Sequence, residues 1–336
     1  MSKYSDIKKV ILENFPKCNI KSIKEFPEGY NNIAYDVRLD KGDYVIKIIK
    51  LKGYETYVLK QNKIRKLVRS KFKNFPIARI LKSDYSKKLI DKPYIIAEKL
   101  EGNSVLKSYK EINNEKEIFE EIGELYGKLH SFKMESYGEL DPNLNLIKTY
   151  KSWYLENCKK VKKIFVKLEE RKLLSPKTLK QNKDFFESIK QLLKKEIGPR
   201  LCHGDASLTN ILAKKANKKY VVSGIIDFEF SRSSGIVNEL FSGLRTPDRK
   251  LEHKDDLVKG YLKYNKLPKN WEKLVYLYKW ISYLNRLSSI DGMKWRNLNE
   301  EQTIQRKKNM RKESLLNLRK MQKKLESYYN IIIEIS

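Results

Sequence analysis

The sequence predicts an α+β protein of two lobes: a small antiparallel β lobe with one helix over residues 1–100, then a larger, mainly helical lobe over residues 101–336. Three observations predict it. β-type segments crowd the first hundred residues, helical periodicity takes over from about Asn113, and one β interruption breaks the helical half between Arg200 and Phe230. A cleft between two such lobes is where a ligand is expected.

The elements follow in order. Residues 5–15 read as a short amphipathic helix. "IKSIKEF", "IAYDVRLD", "DYVIKIIK", "FPIARILKSDYS" and "KPYIIAEKL" read as strands, with "DKGD" (Asp40–Asp43) joining two of them as a hairpin. Between the third and fourth, Glu55 to Ser70 carries Tyr57, Ile64 and Val68 at helical spacing. Further on, "NEKEIFEEIGELYGKLHSF" places Ile118, Ile122, Leu125 and Leu129 on one stripe. "LIKTYKSWYLENCKKVKKIFVKL" reads as a second helix. "SPKTLKQNKDFFESIKQLLKKEI" reads as a third, with Ser175 as N-cap and Pro176 in the first turn. Residues 251–330 are helical again.

Composition sets limits. With 336 residues, 40% apolar and 34% charged, the chain can bury a sizeable core and is neither disordered nor a membrane-spanning protein. The first residues lack the apolar stretch and cleavage site of a secretory signal, and Cys18, Cys158 and Cys202 have neither metal-ligand nor disulfide spacing. The expectation is a cytoplasmic protein with reduced thiols. Lys and Arg total 72 against 42 acidic residues, a net +30. That field could draw nucleic acid, an anionic membrane or a polyanionic substrate. It forms no block or stripe, however, and so reads first as a chain in which lysine is spread throughout.

The β interruption carries the chemistry. In "LCHGDASLTNILAKK", Asp205 follows the short "RLC" strand and Asn210 starts the next strand; Asp227 ends the following one, "YVVSGIIDF". Hairpin pairing of these strands would bring two carboxylates and an amide together. One carboxylate can orient or deprotonate an attacking hydroxyl. The other carboxylate and the amide oxygen can hold Mg²⁺, a hard cation that takes oxygen ligands and bridges phosphates.

"HGDASLTN" followed by "IIDFEF" resembles the aminoglycoside phosphotransferase and choline kinase superfamily, small-molecule kinases with the protein-kinase-like fold. The resemblance extends over roughly residues 20 to 290. It implies Asp205 as catalytic base, Asn210 and Asp227 as metal ligands, and His203 as a brace for the loop. It implies ATP or GTP as phosphate donor, Mg²⁺ as cofactor and a small molecule with a hydroxyl group as acceptor. Upstream, Lys47 matches the lysine that holds nucleotide phosphates, and "FPEGYNNIAYDV", with Gly29 and Asn31, stands where the nucleotide-covering loop would be. "KPYIIAEKLEG" resembles the hinge, where the backbone of Glu98 to Leu100 would meet the base.

Two departures stand out. The family pairs the strand lysine with a glutamate on the next helix; here the polar member of the inward stripe is Gln61, a neutral amide. Either the lysine is held more weakly, or Glu55 substitutes, or the chain binds nucleotide without turnover. Glu229 stands after "DF", where protein kinases carry Gly, and resembles the choline and ethanolamine kinases instead. Glu239 falls at the family's customary acidic position, or simply stabilises a helix start.

Protein substrates are disfavoured. Gly204 stands where regulated protein kinases carry an Arg, no A-P-E follows, and only about ten residues separate Asp227 from the next helical segment. For a cationic acceptor such as choline or ethanolamine, Trp153, Tyr154, Trp280, Tyr283 and Trp295 could form an aromatic cage. Their helical spacing points first to core packing. Sugar-like alcohols remain open as acceptors. The basic helix "QRKKNMRKESLLNLRKMQKK" raises nucleic-acid binding as the rival function, although Met310, Leu315, Leu318, Met321 and Leu325 also form a plain packing stripe.

Overall fold

The computed structural model describes residues 4–26, 32–50, 53, 56–244, 252–293 and 298–333. Helix α1 (Ser5–Asn14) buries Ile7, Val10 and Ile11 against the first sheet. That sheet has five antiparallel strands: β1 (Ile20–Glu25), β2 (Asn32–Leu39), β3 (Gly42–Ile49), β4 (Ile80–Asp84) and β5 (Tyr94–Glu98), in the order β1-β2-β3-β5-β4. The β2–β3 hairpin turns at Asp40–Lys41, with Leu39 opposite Gly42. Between β3 and β4 lies α2 (Lys60–Lys71), led by a 3₁₀ turn at Tyr57–Leu59. Gln61, Ile64 and Val68 form its buried stripe. Ile64 and Val68 join the core of the larger lobe rather than that of the sheet.

The larger lobe runs through β6 (Asn103–Ser104), α3 (Val105–Ser108), α4 (Glu115–His130), β7 (Tyr137–Leu140), β8 (Leu146–Tyr150), α5 (Trp153–Glu170) and α6 (Pro176–Ile189). It continues with β9 (Arg200–Cys202), β10 (Ile211–Ala216), β11 (Lys219–Ile225), β12 (Arg232–Ser234), α7 (Ile236–Gly243), α8 (Lys254–Tyr261), α9 (Trp271–Ser289) and α10 (Glu300–Ile333). Its strands form two small sheets, β11-β10-β6 and β8-β7-β12-β9. The whole is the bilobal kinase-like arrangement.

Two local readings are corrected. Leu146–Tyr150, taken as the start of a helix, is strand β8, paired with β7 from Tyr137↔Tyr150 to Leu140↔Leu146. The helix begins only after Ser152, whose side chain accepts from Leu155 N–H as an N-cap. Secondly, the "RLC" strand does not share a sheet with "NILAKK": β9 pairs β12, while β10 pairs β11 and β6. The third predicted helix starts where expected, with Ser175 capping at Thr178 N–H, but ends at Ile189 in a 3₁₀ stretch, Lys190–Lys195.

The aromatic residues resolve toward packing. Trp280, Tyr283 and Trp153 are buried, and Tyr154 lies 5.0 Å from Lys194 Nζ, ring centroid to nitrogen, at the surface of the core; Trp295 lies outside the described residues. On α10, Leu318 and Leu325 are buried, with Met310, Leu315 and Met321 packed against the same core. No helix among the described residues is long and apolar enough to cross a membrane.

Helices α4 and α8 meet through glycine. A Cβ at Gly123 would sit 2.0 Å from Leu257 O, and one at Gly260 1.9 Å from Glu120 O. Neither backbone carbonyl can move without displacing its own helix. Gly260→Ala is therefore expected to destabilise the protein by about 1–3 kcal/mol, measured by urea denaturation. The Gly123→Ala/Gly260→Ala pair should lose less than the sum, because the first methyl already separates the helices.

Candidate active site

The site is built on a loop whose buried backbone is satisfied by one carboxylate. Between β9 and β10, His203 N–H donates to Glu239 Oε1 at 2.7 Å and Gly204 N–H to Oε2 at 2.7 Å. Glu239, in the first turn of α7, also meets His130 Nε2 at 2.9 Å, and His130 Nδ1 meets the Tyr261 hydroxyl at 3.2 Å. Burial would raise the Glu239 carboxyl; the hydrogen bond and charge of His130, with the loop N–H groups, outweigh it and hold the group below its ordinary value. Its contribution is therefore to organise the loop, beyond any effect at the helix terminus. His130, Cys202 and Glu239 form a tight buried cluster, but the carboxylate is already shared among these donors.

His203 is fully buried, and its ring joins two parts of the site. Nε2 lies 2.7 Å from Ile226 O, and Nδ1 accepts from Asp205 N–H at 3.2 Å. Asn210 donates through Nδ2 to Asp205 O at 2.9 Å and Asp205 Oδ2 at 3.0 Å, while its own carbonyl accepts from Ile226 N–H at 3.0 Å. So Asp205, Asn210 and the chain leading to Asp227 converge even though their strands lie in different sheets. Hydrogen bonds across the loop do what strand pairing was expected to do.

Asp205 is exposed to the cleft. Burial of its surroundings lifts its carboxyl above the ordinary value, opposed by His203 and Asn210 and aided by Asp227 and Glu239. Lys47, on β3, forms an ion pair with Asp227 Oδ1. Burial would lower the Lys47 pKa, but Asp227 and then Glu229 outweigh it and raise it. Asp227 follows β11 with a left-handed backbone, φ 66°, and leads into a 3₁₀ turn, Phe228–Phe230.

Gln61 does not reach Lys47 through the amide: its Nε2 donates to Ala78 O at 2.8 Å, tying α2 to the chain before β4. Among the described residues, no hydrogen bond joins Gln61 to Lys47. Gly29, Asn31 and Glu55 lie outside the described residues. In the segment expected to meet the base, Glu98 N–H donates to Arg79 O at 2.9 Å, and the Leu100 side chain covers Gly224, where an added Cβ would fall 2.2 Å from Leu100 Cδ1.

Two residues beside the site had no contact assigned to them from the sequence. Glu229 accepts from Asn32 Nδ2 at 3.2 Å; burial first, then Asp227 and Asp205, push it up to about 7 against the pull of Lys47. Lys60 opens α2, 2% exposed, and burial lowers it to about 8. Glu229 was visible as an unusual residue without an assigned partner; nothing distinguished Lys60 among so many lysines.

The family model of the phosphotransferase enzyme family matches residues 22–274, more than half of the chain. The chain belongs to this family. No curated protein sequence matches it. Among solved structures, it is similar to the GDP complex of aminoglycoside 2'-phosphotransferase-IIIa at 17% identity and TM-score 0.67, covering 96% of this chain and 99% of that one. It is similar to a thermostable mutant of aminoglycoside phosphotransferase APH(4)-Ia, in ternary complex with AMP-PNP and hygromycin B, at 11% identity and TM-score 0.61, covering 95% and 98%. A protein from Thermobifida fusca YX-ER1 described as a fructosamine-3-kinase gives 13% identity and TM-score 0.59, covering 92% and 99%. At these identities the likeness is one of fold.

Because folding favours ionised Glu239, its stabilisation is present above the ordinary carboxyl range and is lost as pH falls through its lowered value. Glu239→Gln should cost about 3 kcal/mol at pH 7, and the deficit should shrink below about pH 4 as acid neutralises the wild-type carboxyl. Denaturant titrations at the two pH values measure this.

Proposed function

We propose that the protein is an ATP- and Mg²⁺-dependent phosphotransferase that moves the γ-phosphate to a hydroxyl group of a small molecule. The lobe up to about residue 100 would bind nucleotide, and the remainder would carry catalysis and acceptor binding. The observation that carries the reading is the convergence of Asp205, Asn210 and Asp227 opposite Lys47 in one cleft. Family membership supports a kinase-type enzyme.

The residues suit the chemistry. The Asn210 amide nitrogen is committed to Asp205, which turns Oδ1, a hard oxygen donor, away from it. Lys47 takes one oxygen of Asp227. Asn210 Oδ1 and the Asp227 carboxylate would hold Mg²⁺, which when bound neutralises phosphate charge. Lys47 would hold nucleotide phosphates with its ammonium, kept protonated by the acidic groups around it. Gly29 and Asn31 would cover the nucleotide, and the backbone from Glu98 to Leu100 would meet the base. Asp205, with its raised basicity and cleft exposure, would accept the proton of the attacking hydroxyl, and its hydrogen bond to Asn210 fixes its orientation.

The donor could be ATP or GTP, since the similar structures include both GDP and AMP-PNP complexes. The acceptor class is an amino alcohol such as choline or ethanolamine, or a sugar-like alcohol; similar proteins are complexed with kanamycin or hygromycin B. Helix α7 begins at Ile236, so soon after Asp227 that no long peptide-docking segment intervenes. The competing reading is a kinase-like protein that binds nucleotide or nucleic acid without turnover, motivated by the net charge of +30 and the lack of a helix carboxylate facing Lys47 among the described residues.

Asp205→Ala should reduce phosphoryl transfer by about 10²–10⁴-fold while leaving Mg·ATP binding within a small factor, measured by a coupled ADP-release assay over hydroxyl metabolites and by calorimetry. Equal activity in the variant would remove Asp205 from the mechanism. Mg·ATP binding without transfer to any acceptor, together with steeply salt-dependent RNA binding, would favour the competing reading.

A further inference from the structure

Lys60 sits where a cation needs compensation. An ammonium group loses its hydration on burial, and only hydrogen bonds or opposite charge restore the balance. Nζ donates to Glu229 O at 3.2 Å and to Ser231 O at 3.2 Å, and it lies 4.1 Å from the centroid of the Tyr57 ring. Its contacts to residues 229–231 are therefore to backbone, whose position they fix whatever side chains those residues carry.

The two carbonyls belong to the 3₁₀ turn that follows Asp227 and to its C-cap. Asp227 holds a left-handed backbone, which a non-glycine residue keeps only where its surroundings determine it. The second carbonyl leads further: the Ser231 hydroxyl donates to His203 O at 3.2 Å, in the loop that carries Asp205. Lys60 thus grips a segment joined at one end to Asp227 and at the other to the Asp205 loop. Asn32 from β2 reaches Glu229, and Lys47 from β3 reaches Asp227. Three elements of the small lobe converge on the same five residues.

We infer that Lys60 is a positioning residue, which holds the backbone of residues 227–231 so that Asp227 presents its carboxylate to the Mg²⁺ it would hold. The inference rests on the phosphotransferase reading. Helix α2 then acts on the site through backbone carbonyls and not through a side chain directed at Lys47.

Calorimetric titration of wild type and Lys60→Met with Mg·ATP and with ATP in excess chelator, beside thermal unfolding of each protein, tests it. Lys60→Met should bind Mg·ATP about tenfold or more weakly, with its affinity for metal-free ATP little changed. Lys60→Gln, which keeps one donor, should fall between. Unchanged Mg·ATP affinity in Lys60→Met, or equal losses for both nucleotide forms, would overturn the inference and leave Lys60 as a tie of the fold alone. If Lys60→Met does not fold, the same comparison in Lys60→Gln decides. Wild type that binds neither form would instead refute the phosphotransferase reading itself, and the inference with it.

Discussion

The interaction on which the rest depends is the buried carboxylate of Glu239 accepting the N–H groups of His203 and Gly204. A buried loop cannot leave such donors unpaired without losing about 1–3 kcal/mol for each, and no strand partner reaches them. Once Glu239 takes both, the loop leaves β9 at a fixed angle and stacks directly beneath the chain from Phe228 to Ser231. The approach is close enough that a Cβ at residue 204 would lie 1.9 Å from Phe230 O, and the backbone there has φ +82°. Glycine at this position is thus a steric requirement. The arginine of regulated protein kinases could not be accommodated here, so its absence follows from the same packing that places Asp205.

Electrostatics in the cleft differ from those of the chain as a whole. Against a net charge of +30, the site gathers Asp205, Asp227 and Glu229 around Lys47. Elsewhere many lysines pair with acids at the surface, as Lys259 and Lys263 do with Glu120 and Lys219 with Glu117. Exposed pairs of this kind contribute little to stability. The basic surface is better understood as a diffuse field, able to raise the local concentration of an anionic nucleotide. Within the cleft the local charge is set by this acidic cluster, which Lys47 offsets in part.

Much of this was legible in the sequence because the signals were local. Strand-type segments marked the five strands of the first sheet, a Ser–Pro pair marked the start of α6, and the spacing from Asp205 to Asn210 suited a tight loop. What was not legible depended on contacts between distant segments. The Leu146–Tyr150 strand has a helix-compatible pattern and is fixed by pairing with β7. Which sheet β9 joins depends on β12, some thirty residues later. Gln61 and Lys60 are adjacent on α2, and only the placement of Ala78, Glu229 and Ser231 determines what each one holds.

Helix α2 explains how the two lobes stay in register. Its apolar stripe, Ile64 and Val68, lies in the large core with Phe75 and Ile77, whereas the sheet has separate clusters of its own. Toward the sheet it makes polar contacts: Gln61 to Ala78 O, and Asn62 both to and from the backbone of Ile80, at 2.9 and 2.8 Å. The helix is therefore packed against the larger lobe and hydrogen-bonded to both. Directional bonds tolerate less sliding than apolar contact, so the edge strand β4 is held in fixed register with α2. Through the sheet, that register carries to β3 and Lys47. Lys60, on the same helix, fixes residues 229–231 and so the approach to Asp227. The distance between Lys47 and the Asp227 carboxylate is thus set twice, by their own ion pair and by the helix that both segments share.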